Sequence, residues 1–164
     1  MKPERLSRRS FVGLAGTATL SMFVLRGGTS FAGSMHFAVN HSPAEWRKML
    51  GTQRYEVLRE AATERPYSSP LLKEHRKGVF ACAGCALSLF SSATKFESGT
   101  GWPSFWRPFD HAVVTRPDSS LMTERTEVLC ARCGGHLGHV FDDGPKPTGL
   151  RYCMNGLALN FRPA

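Results

Sequence analysis

The chain has 164 residues, of which 41% are hydrophobic and 21% are charged, as in one globular domain with its own core. Its formal net charge of +8 is uneven, because five cations against one carboxylate give residues 1–32 a net charge of +4. The rest of the chain carries the other +4 without a basic block, which argues against a nucleic-acid-binding face.

The N-terminal segment resembles an export signal of the twin-arginine type. The sequence SRRSFV at residues 7–12 matches the S-R-R-x-F-L pattern, and a moderately apolar stretch follows it. A transmembrane anchor is the alternative, but an apolar run of about 16 residues is short for a bilayer core. We predict a signal peptide over 1–32 that is cleaved after Ala32, export to the periplasm, and a linker over 33–41. An uncleaved tether is the other outcome, and the signal segment is the expected membrane contact.

Two short helices are predicted next. Ser42 can cap a helix, a proline follows in the first turn, and Glu45 completes a capping box. Gly51 separates the two helices, and the loop "TERPYSSPLL" follows them.

The remainder of the chain is predicted to be mainly β and antiparallel. Short runs of strand character are separated by Gly, Pro and Asp. These runs are "GVFAC", "LSLFSS", "HAVVTR", "EVLCA", "GHVFDD" and "LRYCMNGLALNF". With the two helices they form one predicted domain, residues 42–164, to which the candidate catalytic residues below belong.

Four of the five cysteines form two C-x-x-C units, Cys82–Cys85 and Cys130–Cys133. Four thiolates complete a tetrahedral zinc shell that leaves no position for a substrate, so we predict one structural Zn²⁺. Two disulfides are the alternative in an exported protein, but a C-x-x-C disulfide closes a small ring and restricts the unfolded chain little. Twin-arginine export carries folded proteins, so zinc could be loaded in the reducing cytoplasm.

The fifth cysteine, Cys153, stands alone in a strand-like run. Free cysteines mostly serve as small buried hydrophobes, which is the alternative here. In a strand, however, Arg151 and Asn155 would project from the same face as Cys153, and an adjacent arginine stabilises the reactive thiolate. We therefore interpret Cys153 as a nucleophile.

Two histidines follow the second cysteine unit in "CGGHLGHVFDDGP". Because four cysteines already complete the metal shell, His136 and His139 are available for proton transfer. A nearby carboxylate, such as Asp142 or Asp143, could orient a ring.

The segment "ESGTGWPSFW" holds its aromatic residues between glycines and a proline. Such residues commonly belong to a core, but Trp102 and Phe105 could also form a wall for a small apolar group. An activated thiol, a proton donor and an aromatic wall together permit reduction of a methyl sulfoxide, although they do not single out this reaction.

Several longer motifs resemble those of one known family, the methionine-R-sulfoxide reductases, which are the B class of methionine sulfoxide reductases. The resemblance covers about residues 42–161. The motifs are "TERPYSSPLL", "CAGC", "SGTGWPSF", "CARCGGHLGHVFDDGP" and "TGLRYCMNGLALNF".

The resemblance implies a fold of two antiparallel sheets with short N-terminal helices and a zinc held by the four paired cysteines. It implies that Cys153 attacks methionine-R-sulfoxide in oxidised proteins and becomes a sulfenic acid. Repair of oxidised exported proteins is then the expected role. The other residues implied to line the site are Trp102 at the substrate methyl, His136, His139 as the residue that handles the proton, Arg151 and Asn155.

One position departs from the family pattern. Many members carry a second redox cysteine where this sequence has Thr100. An intramolecular disulfide could then form only by taking a zinc ligand, which would dismantle the metal site. We therefore expect an external reductant, either a thioredoxin-like protein or a small thiol.

Two other functions are compatible with parts of the sequence. A zinc-stabilised β module that binds a peptide or nucleic acid would explain the cysteine pairs, but it has no need of the residues around Cys153. A thiol peroxidase would also pass through a sulfenic acid, but Trp102 has no evident role with peroxide.

Overall fold

The computed structural model describes residues 35–121 and 123–164. The predicted signal peptide and the first two residues of the predicted linker lie outside these ranges. From Met35 onward, the linker belongs to the same compact unit as the rest of the chain. Within the described ranges, no helix has the length and apolar character needed to cross a membrane.

The helical part is one element, α1, which spans Pro43–Glu60 and is kinked. The predicted capping box is present, since the Ser42 hydroxyl accepts from the Glu45 amide and the Glu45 carboxylate accepts from the Ser42 amide. Gly51 interrupts the helical backbone with a φ of 70°, so the two predicted helices are the two halves of α1. One side of α1 packs into the core through Trp46, Tyr55, Val57 and Leu58.

Within residues 35–121 and 123–164, nine strands form two antiparallel sheets, as predicted. The three-stranded sheet has the order β2-β1-β9, and the six-stranded sheet has the order β3-β4-β8-β7-β6-β5. The strands are β1 (Gly78–Cys82), β2 (Ser88–Ser91), β3 (Lys95–Phe96), β4 (Ser104–Phe105), β5 (Val113–Asp118), β6 (Arg125–Cys130), β7 (His136–Phe141), β8 (Arg151–Met154) and β9 (Leu159–Pro163).

The C-terminal run "LRYCMNGLALNF" differs from its prediction as one strand-like segment. It divides into β8 and β9, which belong to different sheets, and a 3₁₀ turn at Gly156–Ala158 separates them. The chain leaves the six-stranded sheet at Asn155, whose side chain bonds to the backbone of two other segments. Tyr152 and Met154 before the break fall at even positions, whereas Leu159 and Phe161 after it fall at odd positions. The alternation therefore changes phase at an Asn-Gly pair, a signal of the break that the prediction did not use.

The core lies between the two sheets and α1. Phe105 of the larger sheet contacts Phe80 and Phe90 of the smaller one, with ring centroids 4.9 and 4.4 Å apart. Tyr152 and Met154 of β8 also pack against this core. Because successive residues of a strand point to opposite faces, Cys153 projects from the other face of the six-stranded sheet.

Candidate active site and metal centre

The two cysteine units meet at one end of the molecule. β1 and β6 each end at a cysteine, and the following turn supplies the second cysteine of each unit. The Sγ atoms of Cys82 and Cys133 are 3.7 Å apart, and those of Cys85 and Cys130 are 3.5 Å apart. All four sulfur atoms lie within 4.8 Å of one another.

This cluster fits a metal ion. A tetrahedral zinc with bonds of about 2.3 Å would hold its sulfurs about 3.8 Å apart, close to the distances here. Hydrogen bonds with the neighbouring sulfurs, together with burial, raise the pKa of Cys82, so a full set of thiolates requires a cation. All five cysteines are free thiols, which excludes the two-disulfide arrangement from this structure.

The segment before α1 packs on the second cysteine unit. The Val39 amide donates to the Arg132 carbonyl at 3.0 Å. The ring of Phe37 lies so close to Gly134 that a Cβ atom there would collide with it. The described part of the predicted linker therefore supports the metal centre.

A separate cavity of about 120 Å³ opens at Cys153, which is partly exposed. A water molecule occupies about 30 Å³ of liquid, so this space admits only a small group. The other lining residues are Thr63, Trp102, Arg125, Gly138, His139, Phe141 and Asn155.

Strand pairing places a histidine beside the thiol. His139 on β7 and Ser104 on β4 are the direct partners of Cys153 on its two sides. Residues directly opposite in an antiparallel pair have Cβ atoms about 4.5–5.5 Å apart, so the imidazole and the thiol share one face. Gly138 permits this pairing, because a Cβ atom there would collide with the Cys153 carbonyl.

A carboxylate from β5 orients His139. Nε2 of His139 lies 2.7 Å from Oδ2 of Asp118, and the Arg125 guanidinium donates to the same oxygen at 2.7 Å. Hydrogen bonds from Ser120, together with those of His139 and Arg125, hold the pKa of Asp118 well below its usual range. The carboxylate is therefore ionised and can hold the His139 ring in one orientation. The orienting group is Asp118 and not the Asp-Asp pair that follows β7 in the sequence.

His136 lies behind His139 and does not line the cavity. It is 4% exposed, its Nδ1 is 2.6 Å from Oε1 of Glu127, and its ring meets the His139 ring edge-on. Burial lowers the pKa of His136, which keeps its ring neutral at pH 7. In this position His136 supports the His139 ring and has no direct path to a substrate.

Arg151 is a fixed cation beside the thiol. It forms two parallel bonds to Asp143, from Nε at 2.7 Å and from Nη2 at 2.8 Å. These bonds raise the pKa of Arg151, and the neighbouring Cys153 side chain raises it further. The guanidinium is therefore a permanent positive charge close to the Cys153 sulfur.

Glu64 connects two walls of the cavity. Its carbonyl accepts from Trp102 Nε1 at 3.1 Å, and its amide donates to Asn155 Oδ1 at 3.0 Å. Its buried carboxylate accepts from the amides of Gly156 and Leu157. Burial raises the pKa of Glu64, and the two amide bonds partly oppose this effect.

Phe105 lies in the core and does not reach the cavity. It is fully buried and stacks on Phe90. Its neighbour Ser104 pairs with Cys153, and the alternation along β4 turns Phe105 to the opposite face. The prediction that Phe105 contacts the substrate therefore does not fit its position.

Thr100 lies beside Cys153, with 3.7 Å between Oγ1 and Sγ. Ser98 bonds to both Thr100 and Ser104, which fixes this hydroxyl cluster. A hydroxyl thus stands where the family pattern often places a second thiol.

Sequence reasoning missed several residues of the site. Asp118 and Arg125 lie on the β5–β6 hairpin, which is distant in sequence from Cys153. Glu64 lies in "TERPYSSPLL", a motif to which the sequence assigns no role in the site. Arg125 and Glu127 in "RTEVLC" are two residues apart, so both charged side chains lie on one face of β6. This spacing was the available signal.

The assembled parts suit one type of chemistry. A partly exposed thiol lies beside a fixed cation, an imidazole oriented by a carboxylate, and an indole wall. Such a site can attack a small polarised group and deliver a proton to the atom that leaves.

Comparison with known proteins gives a consistent match. The SelR domain matches residues 50–163. A peptide methionine sulfoxide reductase MsrB of Leptospira interrogans is 52% identical over 129 residues, which are 78% of this chain and 98% of that protein. The protein of that name from Methanosarcina barkeri is 54% identical over 126 residues, which are 76% of this chain and 89% of that protein. The one from Agrobacterium fabrum is 52% identical over 126 residues, which are 76% of this chain and 93% of that protein.

Proposed function

Because the chain belongs to the SelR-domain family of peptide methionine sulfoxide reductases, we propose that it reduces methionine sulfoxide at the cavity around Cys153. The chain is an oxidoreductase that acts on the R epimer of methionine sulfoxide. One observation carries the assignment of Cys153 as the nucleophile: strand pairing places its thiol beside His139 in a cavity that Trp102 also lines.

The reaction begins with the Cys153 thiolate, which Arg151 stabilises. The thiolate attacks the sulfoxide sulfur while Trp102 contacts the methyl group. His139 protonates the sulfoxide oxygen, the oxygen is transferred to the Cys153 sulfur, and methionine leaves. The enzyme is left with a sulfenic acid, so the substrate has been reduced by two electrons and the thiol oxidised by two.

The sulfenic acid is reduced by an external thiol. Thr100 supplies no second thiol, and the other four cysteines belong to the metal cluster. An external thiol forms a mixed disulfide with Cys153 and releases water, and a second thiol then frees Cys153. A thioredoxin-like protein or a small thiol fits this role.

The four-cysteine cluster holds one structural zinc. Tetrahedral sulfur spacing and an all-thiolate donor set support this metal. The bound ion would cross-link β1 to β6 and take no part in the reaction. Elemental analysis should find one zinc per chain, and Cys82→Ser should lower the yield of folded protein. Normal stability of Cys82→Ser combined with loss of turnover would contradict a structural role.

The decisive experiment compares wild type with Cys153→Ser in a protein that begins at Gly33. The substrates are the separate R and S epimers of N-acetylmethionine sulfoxide, with dithiothreitol as reductant. We expect wild type to convert the R epimer alone and Cys153→Ser to have no turnover with a normal thermal unfolding curve. Turnover that persists in Cys153→Ser would exclude Cys153 as the nucleophile, and faster turnover of peroxide than of sulfoxide would favour a thiol peroxidase.

The site of action is proposed to be the periplasm, where the enzyme would repair oxidised exported proteins. The twin-arginine pattern at residues 7–12 and the small residues before Gly33 support this location. Fractionation of cells that express the full chain should place it outside the cytoplasm, and Arg8→Lys combined with Arg9→Lys should retain it inside. Equal distribution of both proteins would contradict export by this route.

A further inference from the structure

Trp102 lines a second cavity in addition to the one at Cys153. This cavity has a volume of about 410 Å³ and lies between the segment that precedes β1 and the glycine-rich loop before β4. The shared indole makes the two cavities neighbours. Other residues that line the second cavity are Tyr67, Leu72, Lys73, His75, Glu97 and Ser98.

Tyr67 forms a rigid aromatic wall of the second cavity. It is 70% exposed, yet its hydroxyl donates to the Gly99 carbonyl at 2.6 Å and its amide donates to the Gly101 carbonyl at 2.7 Å. Its φ of 62° is rare for a residue with a side chain. Backbone strain of this kind persists only where surrounding contacts enforce it, and it is common at ligand sites.

The second cavity has a cationic edge. The carboxylate of Glu97 is paired with Lys95 at 3.1 Å. Lys73 and His75, by contrast, have no acidic partner within residues 35–121 and 123–164. Lys73 therefore contributes an unpaired positive charge and His75 a hydrogen-bond donor.

We propose that the second cavity is a subsite for the residue next to the oxidised methionine in a client polypeptide, and that it favours an acidic side chain. The proposal rests on methionine sulfoxide reduction at Cys153. Trp102 lines both cavities and consecutive Cα atoms are about 3.8 Å apart, so the second cavity is the nearest space for a residue adjacent to a methionine sulfoxide at Cys153. The Tyr67 ring then contacts its aliphatic part, and Lys73 pairs with its carboxylate.

The test uses blocked pentapeptides in which glutamate, glutamine or lysine flanks methionine-R-sulfoxide on both sides. N-acetylmethionine-R-sulfoxide serves as a reference without neighbours, and dithiothreitol is the reductant. We expect kcat/KM to fall in the order glutamate, glutamine, lysine. The ratio between the first and last peptides should be about two- to fivefold, the effect of one exposed ion pair, and it should arise from KM.

Lys73→Glu should remove or invert this order of kcat/KM values, and Lys73→Met should make the three values nearly equal. Lys48→Glu on α1 is the matched control, because it changes the net charge equally at an exposed position outside both cavities. It should keep the wild-type order.

Three outcomes would contradict the proposed subsite. They are equal kcat/KM values for the three peptides in wild type, an unchanged order of kcat/KM in Lys73→Glu and Lys73→Met, and an equal loss of kcat/KM for all substrates in both variants. Failure of wild type to reduce N-acetylmethionine-R-sulfoxide would instead overturn the proposed reaction at Cys153, so the two failures are distinguishable.

Discussion

Glu64 illustrates how one buried residue can organise an active site without touching the reacting atoms. Its backbone binds Trp102 and Asn155, and its carboxylate accepts two amides at the start of the 3₁₀ turn after β8. It is thus a positioning residue for the pocket wall.

Glu64→Gln should lower both stability and turnover. One carboxylate oxygen is replaced by an NH₂ group, which cannot accept a hydrogen bond from the backbone amide that faces it. The free energy of unfolding should fall by about 1–3 kcal/mol, the cost of a buried donor without a partner. We also expect kcat/KM for methionine sulfoxide to fall by about tenfold, as a displaced pocket wall would cause. Urea unfolding and steady-state kinetics check these values. Glu56→Gln, an exposed change on α1, is the control and should alter neither the free energy of unfolding nor kcat/KM. If Glu64→Gln loses stability but keeps its kcat/KM, Glu64 contributes to the fold and does not position the active site.

Asp118 contributes to stability in a manner that depends on pH. Its pKa is lowered in the folded protein, so its stabilising effect is complete above the usual carboxylate pKa of about 3.9 and is lost as the pH falls through the lower folded value. Wild type should therefore be more stable than Asp118→Asn at pH 7, and the difference should shrink below about pH 4.

Urea unfolding at several pH values measures this difference, with the exposed change Asp142→Asn as the control. Turnover by Asp118→Asn at pH 7 should fall by about ten- to a hundredfold if His139 is the acid, since its ring is no longer held by a carboxylate. A stability difference that is constant from pH 7 to pH 2 would contradict the ionised role of Asp118.

At the scale of elements, the contact between β7 and β8 pairs His139 with Cys153, the two residues proposed to act on the substrate. It requires Gly138, because a Cβ atom at this position would overlap the Cys153 carbonyl. The six-stranded sheet therefore has one apolar face in the core and one polar face that carries Cys153, His139 and Glu127 in directly paired positions.

Gly138→Ala should separate β7 from β8 at the nucleophile. Gly149→Ala is the matched control, since Gly149 also has a positive φ but has open space around its Cα. The control should lose about 1 kcal/mol of unfolding free energy from backbone strain, and Gly138→Ala should lose clearly more together with most of its turnover. Thermal unfolding measures both variants. If Gly138→Ala and Gly149→Ala lose equal stability, the close approach of β7 and β8 at Gly138 does not contribute to stability.

At the scale of the whole molecule, the proposed nucleophile Cys153 and the four-cysteine cluster lie in separate regions. Thr100→Cys should convert the cycle to a two-thiol type, because the Thr100 hydroxyl already lies 3.7 Å from the Cys153 sulfur. After one turnover without reductant, this variant should have lost two free thiols and should not react with dimedone. Wild type should instead form a dimedone adduct at Cys153, and its absence would contradict a persistent sulfenic acid.

Much of this architecture was predictable because it depends on local patterns. The capping box at Ser42, the strand runs and the paired cysteines each depend on residues a few positions apart, and the structure contains all of them. The break at Asn155 was missed because the run was interpreted as one strand, although the apolar alternation changes phase at its Asn-Gly pair. Phe105 was misplaced because a short aromatic motif does not reveal which face of the sheet it occupies.

By itself, the sequence determined which chemical groups this protein possesses: four paired cysteines, one isolated thiol, and the histidines and tryptophan of recognisable motifs. The tertiary structure alone decided which of them meet. It brought Asp118 to His139 and Glu64 to Trp102, and it placed His136 and Phe105 away from the cavity. The physical reason is that strand register and the face a side chain occupies are settled by pairing between distant segments, and spacing along the chain does not encode that pairing.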